Sequence, residues 1–318
     1  MEFIDGEFLW SEKYRPQLIE DMILPVSMKQ MFHGFVEAKN IPNLMLVGPS
    51  GVGKTTVAKA ILRELACDYI VINGSLERNI DTLRNEILDF ASSVSFSGGR
   101  KYVMIDEADY LNAASTQPAL RAFMEEFSSN CGFIFTCNYP NKIIEHIHSR
   151  FTVIEFNFRT KDVVGKLASQ FMRRICSILE NEDCTFDKKV VAEIIKKHYP
   201  DFRRTINELQ KYAFVANGSI DSGVLSAKND IDLAELVTYM KSKDFTEVRK
   251  WIARNFDGDT TSLFRKFYDG ASDLFTPDTI PSLVMTIAEY QYKASFVADL
   301  EVNMAAALVT IMITCEFK

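Results

Sequence analysis

From Gly48 to Thr55 the chain reads Gly-Pro-Ser-Gly-Val-Gly-Lys-Thr, the spacing G-x-x-x-x-G-K-[ST], directly after the apolar run Leu44-Met45-Leu46-Val47. This stretch constrains the fold more than any other, because the pattern works only as a turn between a buried strand and the start of a helix. Gly48, Gly51 and Gly53 let the backbone turn tightly, so that its N–H groups and the helix start face phosphate oxygens. Pro49, Ser50 and Val52 complete the loop, and Thr56 follows it into the helix. Lys54 adds a full charge at the outer phosphates, and the Thr55 hydroxyl is a hard oxygen suited to Mg²⁺. A glycine-rich turn matching by chance is the alternative; a strand before, a helix after and both Lys and Thr in place favour nucleoside triphosphate binding.

The first half of the chain alternates strands and helices. Strand-like runs are Leu44–Val47, Tyr69–Asn73, Lys101–Ile105, Gly132–Thr136 and Thr152–Phe156, with helical patterns at Lys54–Ala66, Asn79–Ser93 and Thr116–Phe127. Short apolar runs with helical connectors predict an α/β fold, a five-stranded parallel sheet covered on both faces. Such sheets bind ligands beyond the carboxyl ends of their strands. After Phe158 the strands are expected to stop. Lys161–Leu179, Asp187–His198 and Phe202–Phe214 read as a three-helix bundle, and the turn-rich stretch Asn217–Gly223 ends it. From about Ile231 the pattern is helical again: Asp232–Lys241, Phe245–Asn255, Thr260–Leu274, Ser282–Glu289 and a long last helix to about Cys315. The expected division is 1–158, 159–228 and 229–318.

The net charge of −7 gives no global attraction for nucleic acid, so any such contact needs a local basic stripe or oriented helix N-termini. From Asn229 on there are nine basic and fourteen acidic side chains, which points that region toward protein contacts rather than nucleic acid. The six scattered cysteines include no C-x-x-C, which argues against a zinc ribbon and suits reduced thiols. The acidic N-terminus lacks a signal-peptide pattern, and the longest apolar stretch, Met304 to Ile313, is too short to span a bilayer. The expected location is the cytoplasm.

Val103-Met104-Ile105-Asp106-Glu107-Ala108-Asp109 is an apolar strand ending in acids. Asp106, next to the phosphate loop, suits Mg²⁺ directly or through water, and Glu107 can polarise the attacking water as general base. An Asp-Glu pair there predicts hydrolysis rather than mere binding. The next strand ends in Asn138, where an amide can hydrogen-bond the water or the γ-phosphate. His148-Ser149-Arg150-Phe151 precedes the fifth strand, and Arg150 could reach a neighbour's triphosphate as an arginine finger. Asp201-Phe202-Arg203-Arg204 opens the third bundle helix, and an arginine there touching phosphate would couple nucleotide state to the angle between domains.

With these blocks in order, the chain resembles the AAA+ sliding-clamp loaders of DNA replication, and among them the large subunit of T-even-type bacteriophage loaders. Leu9-Trp10-Ser11-Glu12-Lys13-Tyr14-Arg15-Pro16 looks like the family's W-x-E-K-Y-R-P opening. Asp106–Asp109 matches its D-E-A-D Walker B motif, Thr136–Asn138 its sensor 1, Asp201–Arg204 its sensor 2 and Ser149-Arg150 its S-R-C motif. The resemblance implies an AAA+ nucleotide-binding domain, a helical lid and an all-α collar that makes the oligomer. It implies that Glu12, Tyr14 and Arg15 surround the nucleotide base, that Lys54, Thr55, Asp106 and Glu107 serve phosphate, Mg²⁺ and water, and that Asn138 and Arg203 sense the γ-phosphate. Arg150 would serve the ATP of the adjacent subunit. Gln117 and Arg121 would lie where DNA binding couples to the ATPase interface, Arg78 and Arg84 would face the duplex backbone, and Val94 and Phe96 would be a clamp-contacting tip. Phe151 stands where S-R-C has Cys, Leu24-Pro25-Val26 where many cellular loaders have V-G-Q, and the cellular zinc module is absent.

The resulting expectation is an ATP hydrolase stimulated by DNA and clamp, with ATP and Mg²⁺ as cofactors. Its partners would be copies of itself and a different small subunit in a ring or spiral, a sliding clamp and primer–template DNA. The rivals are another AAA+ motor, such as a branch-migration helicase or a helicase loader, and a scaffold that binds nucleotide only to assemble. A helicase motor would need a translocating hairpin or winged helix, for which the region after Asn229 offers no strand-turn-strand ending.

Overall fold

The structure, a computed structural model, describes residues 7–76, 80–95, 99–158, 160–221, 233–256, 258, 260–294 and 296–318. Contacts divide the chain into two units, Met1–Leu225 and Ser226–Lys318. Among the described residues of the first unit, the helices are α1 (Trp10–Lys13), α2 (Val26–Glu37), α3 (Lys54–Leu65), α4 (Ile80–Ser92), α5 (Thr116–Glu126), α6 (Glu145–His148), α7 (Lys161–Asn181), α8 (Lys188–His198) and α9 (Phe202–Val215). Its sheet has β1 (Leu44–Val47), β2 (Tyr69–Asn73), β3 (Lys101–Asp106), β4 (Cys131–Cys137) and β5 (Thr152–Glu155) in the order β2-β3-β4-β1-β5, all parallel.

The sequence explains this layering. Every residue of β1 and β4 is buried, so both are continuous apolar runs, whereas the edge strands β2 and β5 leave several positions exposed. Side chains alternate across the sheet. Leu44, Leu46, Met104 and Ile134 pack on one face with Phe32 of α2 and Val57 and Ile61 of α3. Met45, Val103, Phe133 and Phe135 turn to the other face, against Ile87 of α4 and Leu120 and Phe123 of α5. Each such side chain, fully buried, contributes about 1.5–3 kcal/mol. The register pairs Val47 with Cys137 and Asn73 with Asp106, so the phosphate loop, the acids at the end of β3 and Asn138 emerge on one edge.

Several expectations need correction. Strands do not stop after Phe158: Thr185–Phe186 and Ser219–Ile220 pair in parallel, tying the end of α7 to the end of α9. A two-residue strand is too short to leave a periodic signal. Helix α2, absent from the sequence-based expectations, starts directly after Pro25, whose φ of −55° suits the entry. Trp10 and Tyr14 are buried among Phe171, Ile178, Val191 and Leu209, so the opening segment packs against the lid helices.

The second unit has helices Leu233–Lys241, Phe245–Asn255, Thr260–Asp269, Ala271–Leu274, Ile280–Ala294 and Leu300–Thr314 among its described residues. They enclose Leu236, Trp251, Phe264, Phe267 and Leu308. The expected single helix Thr260–Leu274 is two, interrupted at Gly270, and Ser282–Glu289 is the middle of a longer helix. All six cysteines are free thiols, and no helix of the described residues is long and apolar enough to cross a membrane.

Candidate functional site

The loop between β1 and α3 takes its shape from two glycines in the left-handed region, Gly51 at φ +76° and Gly53 at φ +96°. A Cβ on Gly51 would lie 1.8 Å from Asp201 Oδ1. That contact seats the lid on the loop: the Phe202 N–H donates to the Gly51 carbonyl at 3.1 Å, and Asp201 Oδ1 caps α9 by accepting from the Arg204 N–H at 2.8 Å.

Lys54, the first residue of α3, is buried, and its Nζ donates to the Gly48 and Pro49 carbonyls, each at 2.8 Å, and to Asn138 Oδ1 at 2.9 Å. Burial holds its pKa below the ordinary lysine value, and the nearby Arg203 charge acts in the same direction. Burial also pushes the Cys137 thiol up to about 12, so at neutral pH Asp106 and Asp109 are the groups that favour the ammonium. Two cations converging here, without a carboxylate bonded to either among the described residues, make an anion receptor.

Asp106 Oδ1 accepts two hydroxyls, Thr55 Oγ1 at 2.7 Å and Thr136 Oγ1 at 2.5 Å. Thr136 Oγ1 also accepts the Glu107 N–H at 3.1 Å, and Glu107 lies in the left-handed region at φ 56°, ψ 44°. A non-glycine residue there costs of order 1–3 kcal/mol, a strain that recurs at functional sites. Thr55 Oγ1 and Asp106 Oδ1 are two hard oxygens side by side that would suit a divalent cation. No cluster of three or more His, Cys, Asp or Glu suited to a metal occurs among the described residues. A cation here would therefore draw its remaining ligands from phosphate and water. Asp109 lies behind the cleft, buried, with Oδ2 accepting from the Tyr139 N–H at 3.3 Å.

A cleft partly open to solvent lies at this edge of the sheet. It brings together Tyr14, Arg15, Ser50, Gly51, Val52, Gly53, Lys54, Thr55, Thr56, Asp106, Glu107, Asn138 and Arg203. Glu12 is not in its lining; it pairs with Arg15 at 2.9 Å. Gly48 and Pro49 meet Lys54 through their carbonyls from behind. The Tyr14 hydroxyl donates to Glu182 at 2.6 Å, and burial raises its pKa. The lid adds Phe171, Arg174, Ile178 and Ile206 to the lining. Arg174 Nη2 donates to the Asp21 carbonyl at 2.6 Å; sequence reasoning missed it because a lone arginine in a helical pattern carries no signal.

Arg150 does not line this cleft: its guanidinium donates to Glu125 and to the His146 carbonyl, and Arg121 Nε shares Glu125 at 3.2 Å. Arg84 is exposed on α4, 5.9 Å from the Phe123 ring centre, and Val94 is exposed beyond that helix. Gln117 is fully buried, donating to the Leu111 and Lys142 carbonyls and accepting from the Ile144 N–H. Arg78 and Phe96 lie outside the described residues.

A phosphate loop, acids at the end of β3 and an amide after β4, with a helical lid over them, define a nucleotide-binding P-loop ATPase of the AAA+ class. Residues 44–158 match the ATPase family associated with various cellular activities (AAA), and residues 165–226 match the sliding-clamp-loader large subunit, AAA+ ATPase lid domain. The chain is 35% identical to the sliding-clamp-loader large subunit of Enterobacteria phage T4, over 99% of this chain and 98% of that one. It is 36% identical to that of Escherichia phage RB69 (98% and 97% covered) and 30% identical to the replication factor C small subunit of Sulfurisphaera tokodaii (98% of each). The chain belongs to the sliding-clamp-loader ATPase family. Among solved structures, the Thermotoga maritima RuvB Holliday junction branch migration motor is similar with a TM-score of 0.52 and 18% identity, covering 72% of this chain and 80% of that one. That likeness shows the fold alone.

Proposed function

We propose that this chain is the ATPase subunit of a loader that opens a ring-shaped polymerase clamp and releases it, closed, on primer–template DNA. The observation that carries the reading is the convergence of Lys54, Asn138, Thr55 and Asp106 at one sheet edge, in a chain related along nearly its whole length to clamp-loader large subunits. In this reading the loop N–H groups and Lys54 bind the phosphates, Arg203 reports the γ-phosphate to the lid, and Tyr14 and Arg15 border the base. Thr55 and Asp106 hold Mg²⁺, which when bound neutralises phosphate charge. Glu107 takes the proton of the attacking water while Asn138 orients it.

Arg150 completes the ATP site of the adjacent subunit. Its absence from the lining of its own cleft supports a role in trans, and Gln117 ties α5 to the segment leading into α6, a route from DNA contact to finger. Arg84, with Arg78, faces DNA; Val94, with Phe96, contacts the clamp. The domain division is 1–158, 159–228 and 229–318, and the last part forms the collar that joins copies to a different small subunit. Exposed Met285, Tyr292, Phe296 and Ile313, each at least 70% exposed, support that assignment. Steady-state ATPase of the assembled complex tests the reading: joint stimulation by clamp and primed DNA is expected, and indifference to both rejects it.

A further inference from the structure

Lys101, the first residue of β3, is a buried cation with no part in the nucleotide chemistry. It is 1% exposed, and no carboxylate pairs with it among the described residues. Its Nζ donates to the Phe90 carbonyl at 2.6 Å, to Ser93 Oγ at 2.7 Å and to the Ser93 carbonyl, and lies 4.9 Å from the Phe90 ring centre. These acceptors lie in the last turn of α4 and in Ser93, the residue that follows it, where unsatisfied carbonyls and the helix dipole favour positive charge.

Two further side chains hold the same turn. Asn130 Nδ2 donates to the Ala91 carbonyl at 2.6 Å, and Ser95 Oγ donates to Asp68 Oδ2 at 2.7 Å. Between these anchors stands Val94, 87% exposed. A helix can end on solvated carbonyls or a glycine cap without burying a charge. Burying an ammonium is the costlier solution, and what it adds is a fixed position for the backbone that follows. An apolar side chain on a pinned backbone is preorganised for contact, which reduces the ordering cost of docking.

We infer that Lys101 is a positioning residue for protein docking: it fixes the turn that presents Val94 to the ring-shaped partner. The inference rests on the clamp-contact reading of Val94. Lys101 and Asp106 are also the two ends of β3, whose intervening residues are fully buried, so the anchor of the docking tip and the acid of the cleft share one rigid element.

The test is a clamp titration of ATPase in the assembled complex at saturating primed DNA, comparing wild type with Lys101→Met, Ser95→Ala and Val94→Asp. Lys101→Met is expected to raise the half-saturating clamp concentration about tenfold, and Ser95→Ala about threefold. ATPase at saturating clamp, and with DNA alone, stays within about twofold for both, a split that a merely structural lysine would not produce. Amide exchange at residues 93–95 should accelerate in Lys101→Met. If Lys101→Met fails to assemble, Ser95→Ala decides. Unchanged half-saturation, or a lower maximum with unchanged half-saturation, overturns the positioning role while Val94→Asp still weakens clamp response. No effect of Val94→Asp overturns the clamp-contact reading beneath it.

Discussion

Replacing Gly51 by alanine tests whether the lid is seated on the phosphate loop through Asp201. At φ +76° an alanine costs about 1–2 kcal/mol of left-handed strain. Its Cβ would also lie 1.8 Å from Asp201 Oδ1, so Asp201 must swing away and release the Arg204 N–H. Losing that cap costs about 1 kcal/mol. Gly51→Ala should therefore destabilise the first unit by about 2–3 kcal/mol, and Asp201→Ala by about 1 kcal/mol. In the double variant the cap is lost only once, so the total should remain about 2–3 kcal/mol, short of the sum by about 1 kcal/mol. Urea unfolding, followed on the nucleotide-sensitive transition because the chain has two units, measures all three values. Additivity within about 0.3 kcal/mol would refute the contact as the link between lid and loop.

Glu107→Gln should retain ATP binding in equilibrium titration and lower turnover about 10²–10⁴-fold, as loss of a general base does. Thr136→Val removes one of the two hydroxyls on Asp106 and the acceptor for the Glu107 N–H, and should lower kcat about tenfold with little change in ATP affinity. Lys54 has a lowered pKa in the free protein, and the triphosphate charge raises it again, so at pH values between the free and bound pKa binding takes up a proton. ATP affinity should thus fall as pH rises through the free-protein pKa, below the ordinary lysine value, and calorimetry in buffers of different ionisation enthalpy should detect that proton.

Much of this was legible in the sequence because the informative residues are local. The loop from Gly48 to Thr55 carries its own geometry, and the buried runs of β1, β3 and β4 are long enough to declare themselves. What stayed hidden depends on distant packing. Nothing near Asp201 announces that its carboxylate lies against Gly51, and nothing near Arg174 announces that its helix borders the cleft. Glu12 sits in a recognisable motif, yet its carboxylate turns to Arg15, a choice made by side-chain geometry rather than spacing. The short pair Thr185–Phe186 and Ser219–Ile220 forms only because α7, α8 and α9 bring its ends together.

The central claim is that catalysis is shared between neighbours, with Lys54 binding a triphosphate that Arg150 of the adjacent copy helps to hydrolyse. Loss of such a finger costs about 10³–10⁵ in kcat, so assemblies made only of Lys54→Ala or only of Arg150→Ala subunits should be inactive. Mixing the two before assembly decides the matter. The account predicts that activity returns at roughly a quarter of the interfaces, where an intact Lys54 meets an intact Arg150 from next door. Mixed assemblies as silent as either parent, or an Arg150→Ala assembly as active as wild type, would contradict it.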